Sequence, residues 1–324
     1  MKQRKLGRSG MDVSELGYGC WPIGGGWGAQ NDASDIKSLK FALDNGVTFF
    51  DTAMGYGAGH SEEVLGQAFA GMRDQVKIAT KIGPKADPDG PVSESYPAEW
   101  IIECTEKSLK RLGTDYLDVQ QIHCWRDHYT DSDEWFEAMT KLKEQGKIRH
   151  FGVSAGDWDH EGALRLIESG RTDSVQIIYN LFDQQPAEKL FPAALKHNVG
   201  IIVRVSLFEG ILGGKIRPGH SFVENDWRAK FLTPERLEEV SPRLDELEKL
   251  VTNDYPTLAS LALKFCLSHP AVSTVIAGMR NPRHVEANCA VSDGPALSDE
   301  LLSELATHAW NHGWLYPWDK RNKE

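Results

Sequence analysis

The sequence predicts a closed (β/α)8 barrel of the TIM type, and three observations carry that prediction. Eight short apolar runs of strand type recur along the chain, and the segments between them show helical periodicity. Strands that alternate with helices imply parallel pairing through right-handed crossovers. Eight such units can close on themselves, and 324 residues is an ordinary length for the result. With 40% hydrophobic and 26% charged residues the chain can bury a sizeable core. No linker or change of composition divides it, so residues 1–324 read as one domain.

The elements follow in order. The start, "RKLGRSGMDVSE", reads as an N-terminal β-hairpin turning at Arg8-Ser9-Gly10 and covering one barrel end. Strand one is "ELGYG" at 15–19, followed by a helix over 32–45. Strand two is "VTFFD" at 47–51, with a helix at 61–71. Strand three, "VKIATK" at 76–81, leads into "PAEWIIECTEKSLKRLG". There Ile101, Thr105, Leu109 and Leu112 share a helical face, Pro97 suits a first turn and Gly113 a stop. Strands four to six are "YLDVQQIH" at 116–123, "IRHFGVS" at 148–154 and "SVQIIY" at 174–179, with helices at 132–145, 157–169 and 187–197. Strand seven is "VGIIVRVS" at 199–206. After it the stretch 211–255 is a long insertion with its own helix, "TPERLEEVSPRLDELEKLV", and long barrel loops tend to be functional. A helix at 256–268, strand eight "VSTVIAG" at 272–278 and a helix at 281–290 finish the alternation. A C-terminal helix and tail remain, and the tail "AWNHGWLYPWDK" carries three of the ten Trp.

The bulk numbers exclude some partners. A formal charge of −11 argues against nucleic acid or an anionic membrane. Five scattered cysteines without CxxC suit a reducing compartment, and no apolar run resembles a signal peptide or a membrane span. The expectation is a cytoplasmic protein; oligomeric state is left open.

Barrel active sites lie at the C-terminal strand ends. There the sequence places Asp51, Lys81 and His123, with Tyr56 in the loop after Asp51. Each alone has a plain structural reading: a turn cap, a solvated cation, a satisfied core histidine, a loop anchor. Together they make a proton-transfer device. A free phenol has a pKa of about 10. A lysine ammonium at about 4 Å would stabilise the phenolate by about 4 kcal/mol before desolvation, which brings the phenol towards neutrality. Asp51 is the natural counter-ion of Lys81, and His123 suits a carbonyl oxygen that gains charge.

"DTAMGYG", "SEEVLG", "IATKIG", "SLKRLGTDYLDVQQIH" and "FGVS", in that order and at barrel spacing, closely resemble the aldo-keto reductases. The resemblance runs from "LGRSGMDVSELGYGCW" to "GMRNPRHVEAN". It implies Tyr56 as proton donor, Lys81 and Asp51 as its tuning pair, His123 as the carbonyl-orienting residue, and reversible hydride transfer with a nicotinamide and no metal.

Neither GxGxxG nor a P-loop is present, so a dinucleotide must bind by another route. The resemblance implies one. Ser154 and Gln176 match positions that hold the nicotinamide carboxamide, while Ala155 stands where the family usually has Asn. Arg204 replaces the usual stacking aromatic; its plane can stack, or it is a buried structural arginine. Ser206, Leu207, Gly210, Leu212 and Lys215 match the pyrophosphate segment, and Gly278, Arg280, His284 and Asn288 the adenosine site. Trp21 and Asp51 are also expected to contact the cofactor. Arg280, Arg283 and His284 cluster, so NADP(H) is favoured over NAD(H).

Trp21, Trp27 and Trp125, with Tyr56 and His123, are expected to wall the substrate space, although the tryptophans would serve equally as packing. The expected substrate is a small carbonyl or sugar-like molecule: aldehyde, ketone or aldose. A metal-dependent hydrolase lacks its HxH or HExxH. Cys124 beside His123 faces the other side of the strand, so the two make no nucleophile pair. A cofactor-binding, redox-sensing regulatory subunit with little turnover is the alternative function.

Overall fold

Residues 1–28 and 30–319 are described by a computed structural model. Apolar runs bounded by Gly, Asp and Asn turns permit only short strands, and those observed range from three to nine residues. A hairpin, β1 (Gln3–Lys5) and β2 (Asp12–Ser14), precedes eight parallel strands. These are β3 (Leu16–Gly19), β4 (Phe49–Asp51), β5 (Lys77–Ile82), β6 (Leu117–Trp125), β7 (Ile148–Ala155), β8 (Ser174–Ile178), β9 (Gly200–Arg204) and β10 (Val272–Ala277). Each pairs with the next, and β10 returns to β3 through Val275–Leu16 and Ile276–Gly17, which closes the barrel. The predicted fold class is therefore the observed one.

The helices behind the strands are α1 (Asp32–Asp44), α2 (His60–Ala68), α3 (Val92–Ser95), α4 (Ala98–Leu112), α5 (Glu134–Glu144), α6 (Leu164–Ser169) and α7 (Leu190–His197). The insertion after β9 folds as α8 (Arg228–Phe231) and α9 (Pro234–Glu248). Then come α10 (Leu258–Ser268), α11 (Pro282–Asp293) and α12 (Asp299–Ala306). In α4, Ile101, Thr105 and Leu112 are buried and Gly113 closes the helix in the left-handed region. Pro97 stands at the N-cap rather than inside the first turn.

One helix is much shorter than its periodicity predicts. Of the segment 157–169, only Leu164–Ser169 is α-helical. Trp158 sits at φ 60°, and Gly162 lies so near Asp159 that a Cβ would come 2.0 Å from its carboxylate oxygen. A turn replaces the helix because the Trp158 ring leaves to stack on Tyr316 of the tail, centroids 5.1 Å apart.

The hairpin plugs the N-terminal barrel end. Leu6 and Val13 are buried against Phe49, Ala79, Val119 and Ile202. Its turn passes so close to β9 that a Cβ on Gly7 would stand 2.1 Å from the Gly200 amide nitrogen, at φ 49°. With this end filled, the open end is where the strands finish. Among the described residues no helix is long and apolar enough to cross a membrane, and no group of His, Cys, Asp or Glu could hold a metal ion.

Candidate active site

The pleat of the barrel builds the site. Side chains alternate across a strand, so one set of residues per strand faces inward. Register places Asp51 beside Ala79, Lys81 beside Gln121, and Ser154 beside Gln176, at the strand ends. His123 follows Gln121 by two residues and shares its face.

Lys81 is the hub. Its side chain is fully buried, and its Nζ donates to Asp51 Oδ1, to the Thr52 carbonyl (2.8 Å) and to the Tyr56 hydroxyl (3.0 Å). The other Asp51 oxygen accepts from Gln176 Nε2 (2.8 Å) and Gln121 Nε2 (3.1 Å). A buried carboxylate and ammonium are thus paired and further hydrogen-bonded, as burial of charge requires. Tyr56 arrives on a tight turn with Gly57 at φ 62° and Ala58 at φ 55°. Gly24 makes room for it: a Cβ there would lie 2.7 Å from the Tyr56 carbonyl carbon. The Trp21 ring meets Tyr56 edge-on at 4.8 Å, and the His123 ring stands 6.3 Å away. The predicted four come together.

The electrostatics correct one expectation. Burial pushes the Tyr56 phenol above its ordinary value, and the Lys81 ammonium, the strongest opposing influence, does not bring it back. The phenol is therefore protonated at neutral pH rather than poised near it, because removal from water outweighs one neighbouring charge. Burial alone would favour a neutral Lys81, but Asp51 and then Tyr56 outweigh it and hold the ammonium. Burial, reinforced by Lys81 and Arg204, keeps the His123 imidazole well below its usual range, so it is neutral. The result is a neutral acid backed by a fixed cation, beside an uncharged imidazole. Such a set can stabilise and protonate an oxygen that gains negative charge.

Trp125 is also corrected. It does not wall a substrate space; it is fully buried against Tyr129 and Trp135 (centroids 5.5 and 5.0 Å). The pairing of β6 with β7 shifts register between Ile122 and Trp125, and Cys124 takes φ 53°. This irregularity interrupts the alternation between His123 and Trp125, and the packing reading of Trp125 is the one observed. Trp27 packs against Gly278, with the Arg228 guanidinium 4.1 Å above its ring, and so joins the residues expected to hold cofactor. Trp21 alone of the three is exposed beside Tyr56.

On the cofactor side, Arg204 donates through Nη2 to Asp157 (2.8 Å) and to the Ala155 carbonyl (3.2 Å). Gln176 is engaged by Asp51 and by Gln121 Oε1 (3.3 Å), and Ser154 lies beside it in register. In the 206–215 loop the Gly210 and Leu212 amides both donate to the Leu207 carbonyl (2.9 and 3.1 Å), and Leu212 is fully buried. These two amides are therefore spent inside the loop, which corrects the expected match of Gly210 and Leu212 to a pyrophosphate segment. Ser206 is buried and Lys215 exposed. Partial burial, then the charge of Lys215, holds His284 below its usual range. Arg280 is paired with Asp35 (2.9 Å).

The residues present fit a dinucleotide. Asn288 Nδ2 and Arg204 Nε are buried with no hydrogen-bond partner, one at each end of the expected cofactor path. In the 206–215 loop Gly213 faces open space, with nothing within 4 Å of where a Cβ would stand.

Sequence reasoning missed Gln121, Asp157, Asp35 and the Glu209–Tyr316 pair. Gln121 had a signal, since it lies two residues before His123 on one strand face. Asp157 and Asp35 had none, being 47 and 245 residues from the arginines they hold. Glu209 accepts from the Tyr316 hydroxyl across 107 residues (2.7 Å).

Comparison with known proteins agrees with this geometry. The model of the aldo/keto reductase family matches residues 15–309. The aldo-keto reductase YhdN of Bacillus subtilis is 34% identical over 95% of this chain and 93% of its own. A probable voltage-gated potassium channel subunit beta of Arabidopsis thaliana is 32% identical, covering 94% of this chain and 95% of its own. The NADH-specific methylglyoxal reductase of Escherichia coli is 29% identical, over 94% and 98%. Among solved structures, the holo form of aldo-keto reductase AKR11C1 from Bacillus halodurans superposes with a TM-score of 0.78 at 28% identity, covering 96% of this chain and 98% of that one. An aldo/keto reductase from Klebsiella pneumoniae in complex with NADP and acetate gives 0.69 at 28%, over 99% and 98%.

Proposed function

Because this chain belongs to the aldo/keto reductase family, we propose that it is an NADP(H)-dependent oxidoreductase that reduces an aldehyde, ketone or aldose to the alcohol. The observation that carries the reading is the triple contact of Lys81 Nζ with Asp51, the Thr52 carbonyl and the Tyr56 hydroxyl. Nicotinamide, when bound, supplies the hydride. The chain's residues do the rest. Tyr56 gives its proton to the carbonyl oxygen, and Lys81 stabilises the phenolate left behind. Asp51 holds Lys81 charged and in place. Neutral His123 donates a hydrogen bond that orients the carbonyl. Trp21 forms the wall nearest Tyr56.

For the dinucleotide we assign Ser154 and Gln176 to the carboxamide and Arg204 to the nicotinamide face. Ser206, Leu207 and Lys215 are assigned to the pyrophosphate, without the Gly210 and Leu212 amides that the loop uses internally, and Gly278, Arg280, His284 and Asn288 to the adenosine end. The Klebsiella relative binds NADP, whereas the Escherichia coli relative is named NADH-specific. We favour NADP(H) here because Arg280 and Arg283 flank the start of α11, where a helix N-terminus also favours phosphate.

Titration of tryptophan fluorescence with NADPH, then a carbonyl panel followed by NADPH oxidation, tests this reading. Tyr56→Phe is expected to lower kcat ~10²–10⁴-fold with NADPH affinity unchanged. Likeness to the plant channel subunit motivates a second reading, a cofactor-binding sensor. Tight NADPH binding with no turnover on any carbonyl, or turnover that survives Tyr56→Phe, would favour it.

A further inference from the structure

Asp35 lies in the first turn of α1, where the helix N-terminus favours negative charge. Its side chain is 1% exposed, and it accepts from Arg280 Nε (2.9 Å) and Nη2 (3.4 Å). Arg280 is itself 23% exposed, so a buried acid stands behind a cation that reaches the surface. Among the described residues Asp35 pairs with no second cation. The backbone at this point has its own tether: Ser38 Oγ donates to the Met279 carbonyl, and the Tyr18 hydroxyl donates to Ser38 (3.4 Å). The position of the Arg280 backbone therefore does not depend on Asp35.

We infer that Asp35 is a specificity-setting residue, which limits the preference of this site for a 2′-phosphate by offsetting the charge of Arg280 from behind. The inference rests on the reading that Arg280 faces the adenosine phosphate. Coulomb energy falls as 1/r, so a carboxylate one guanidinium-width further away cancels on the order of half of the attraction between Arg280 and a phosphate. A 2′-hydroxyl carries no charge and is indifferent to the cancellation. The neighbours do little to restore it. His284 is neutral, and Arg283 is exposed, where water screens it. The discrimination between NADPH and NADH is accordingly narrow, and the acid that narrows it touches neither cofactor.

The test uses binding of adenosine fragments to the full chain by calorimetry, with 2′,5′-ADP and 5′-AMP as probes. Asp35→Asn keeps an acceptor for Arg280 Nε and removes the charge. It is expected to tighten 2′,5′-ADP by roughly 3–10-fold, with 5′-AMP unchanged and a steeper salt dependence. Asp35→Ser must move the ratio in the same direction, and it serves should the asparagine variant not fold. Arg280→Ala is the control and should lose the preference for 2′,5′-ADP. If Arg280→Ala loses it but neither Asp35 variant tightens 2′,5′-ADP, the inference alone is wrong. Equal shifts of both probes in the Asp35 variants would also overturn it. If Arg280→Ala leaves the two probes as they were, the underlying assignment of Arg280 falls as well.

Discussion

The floor of the site and its rim are built differently. On the floor, Asp51, Lys81, Gln121 and Gln176 stand on β4, β5, β6 and β8 in fixed register, all buried and all hydrogen-bonded to one another or through Asp51. On the rim, contacts cross long stretches of chain between loops and the tail. Arg204 and Trp318 share Asp157 (2.8 and 2.9 Å), Tyr316 holds Glu209, and Asp35 holds Arg280. The difference teaches where chemistry and selectivity separate. A strand ladder fixes position without help from side chains. A rim of pairwise side-chain contacts can be retuned one charge at a time.

The largest effect should come from breaking the floor. Lys81→Met removes the strongest influence that opposes burial at Tyr56, so the phenol becomes a still weaker acid and proton donation slows. It also leaves Asp51 buried with only two amide partners. Reduction is expected to fall by at least ~10³-fold, and stability by about 3–5 kcal/mol, the usual result of removing one partner of a buried ion pair. Steady-state kinetics and denaturant unfolding check both. In wild type, the raised phenol predicts a reduction rate that stays flat through neutral pH and falls only as Tyr56 ionises in the alkaline range. A rate that declines between pH 6 and 8 would contradict the assignment of Tyr56 as the acid.

The next test compares two tryptophans that the sequence could not separate. Trp125→Ala should cost about 3–5 kcal/mol, as expected for a large aromatic removed from a packed core, and leave KM unchanged. Trp21→Ala should cost far less stability and raise KM for the carbonyl. Substrate affinity lost equally in both would mean that the strand irregularity does not redirect Trp125.

Why the floor was legible and the rim was not follows from how each is encoded. "VTFFD" and "VKIATK" announce strands by composition, and the two-residue period then says which side chains face inward. The sequence alone therefore places Asp51, Lys81 and His123. The same rule puts Gln121 on the inward face beside Lys81. Trp125 is not separable into wall or core, because a register shift leaves no mark in a hydrophobic pattern. The turn at 157–163 shows the other limit: helical periodicity was present, and a tertiary contact from Tyr316 to the Trp158 ring overrode it. Asp35, Asp157 and Glu209 are ordinary surface-type acids in sequence. What makes them matter is a partner dozens to hundreds of residues away.

The smallest expected effect lies on the rim, at Glu209. It sits at φ 55° in the loop between Leu207 and Gly210, and burial pushes its carboxyl up to about 7 against the opposing pull of the Tyr316 hydrogen bond and Arg204. An unfolded glutamate titrates near 4.5, so between that value and about 7 the folded chain holds a proton that the unfolded chain has released. Stability therefore falls as pH rises through this window and levels off above it. Glutamine cannot ionise, so Glu209→Gln should gain on wild type as pH rises from 5 to 7, by ~1–2 kcal/mol at most, or a few degrees in Tm. Parallel melting curves across that range would mean that the carboxyl is already ionised in the folded chain. If rim and floor are as separate as their construction implies, kcat of the cofactor-saturated variant stays unchanged while stability moves. A fall in kcat with the same pH profile would show that the tail reaches Tyr56 through Asp157 and Arg204.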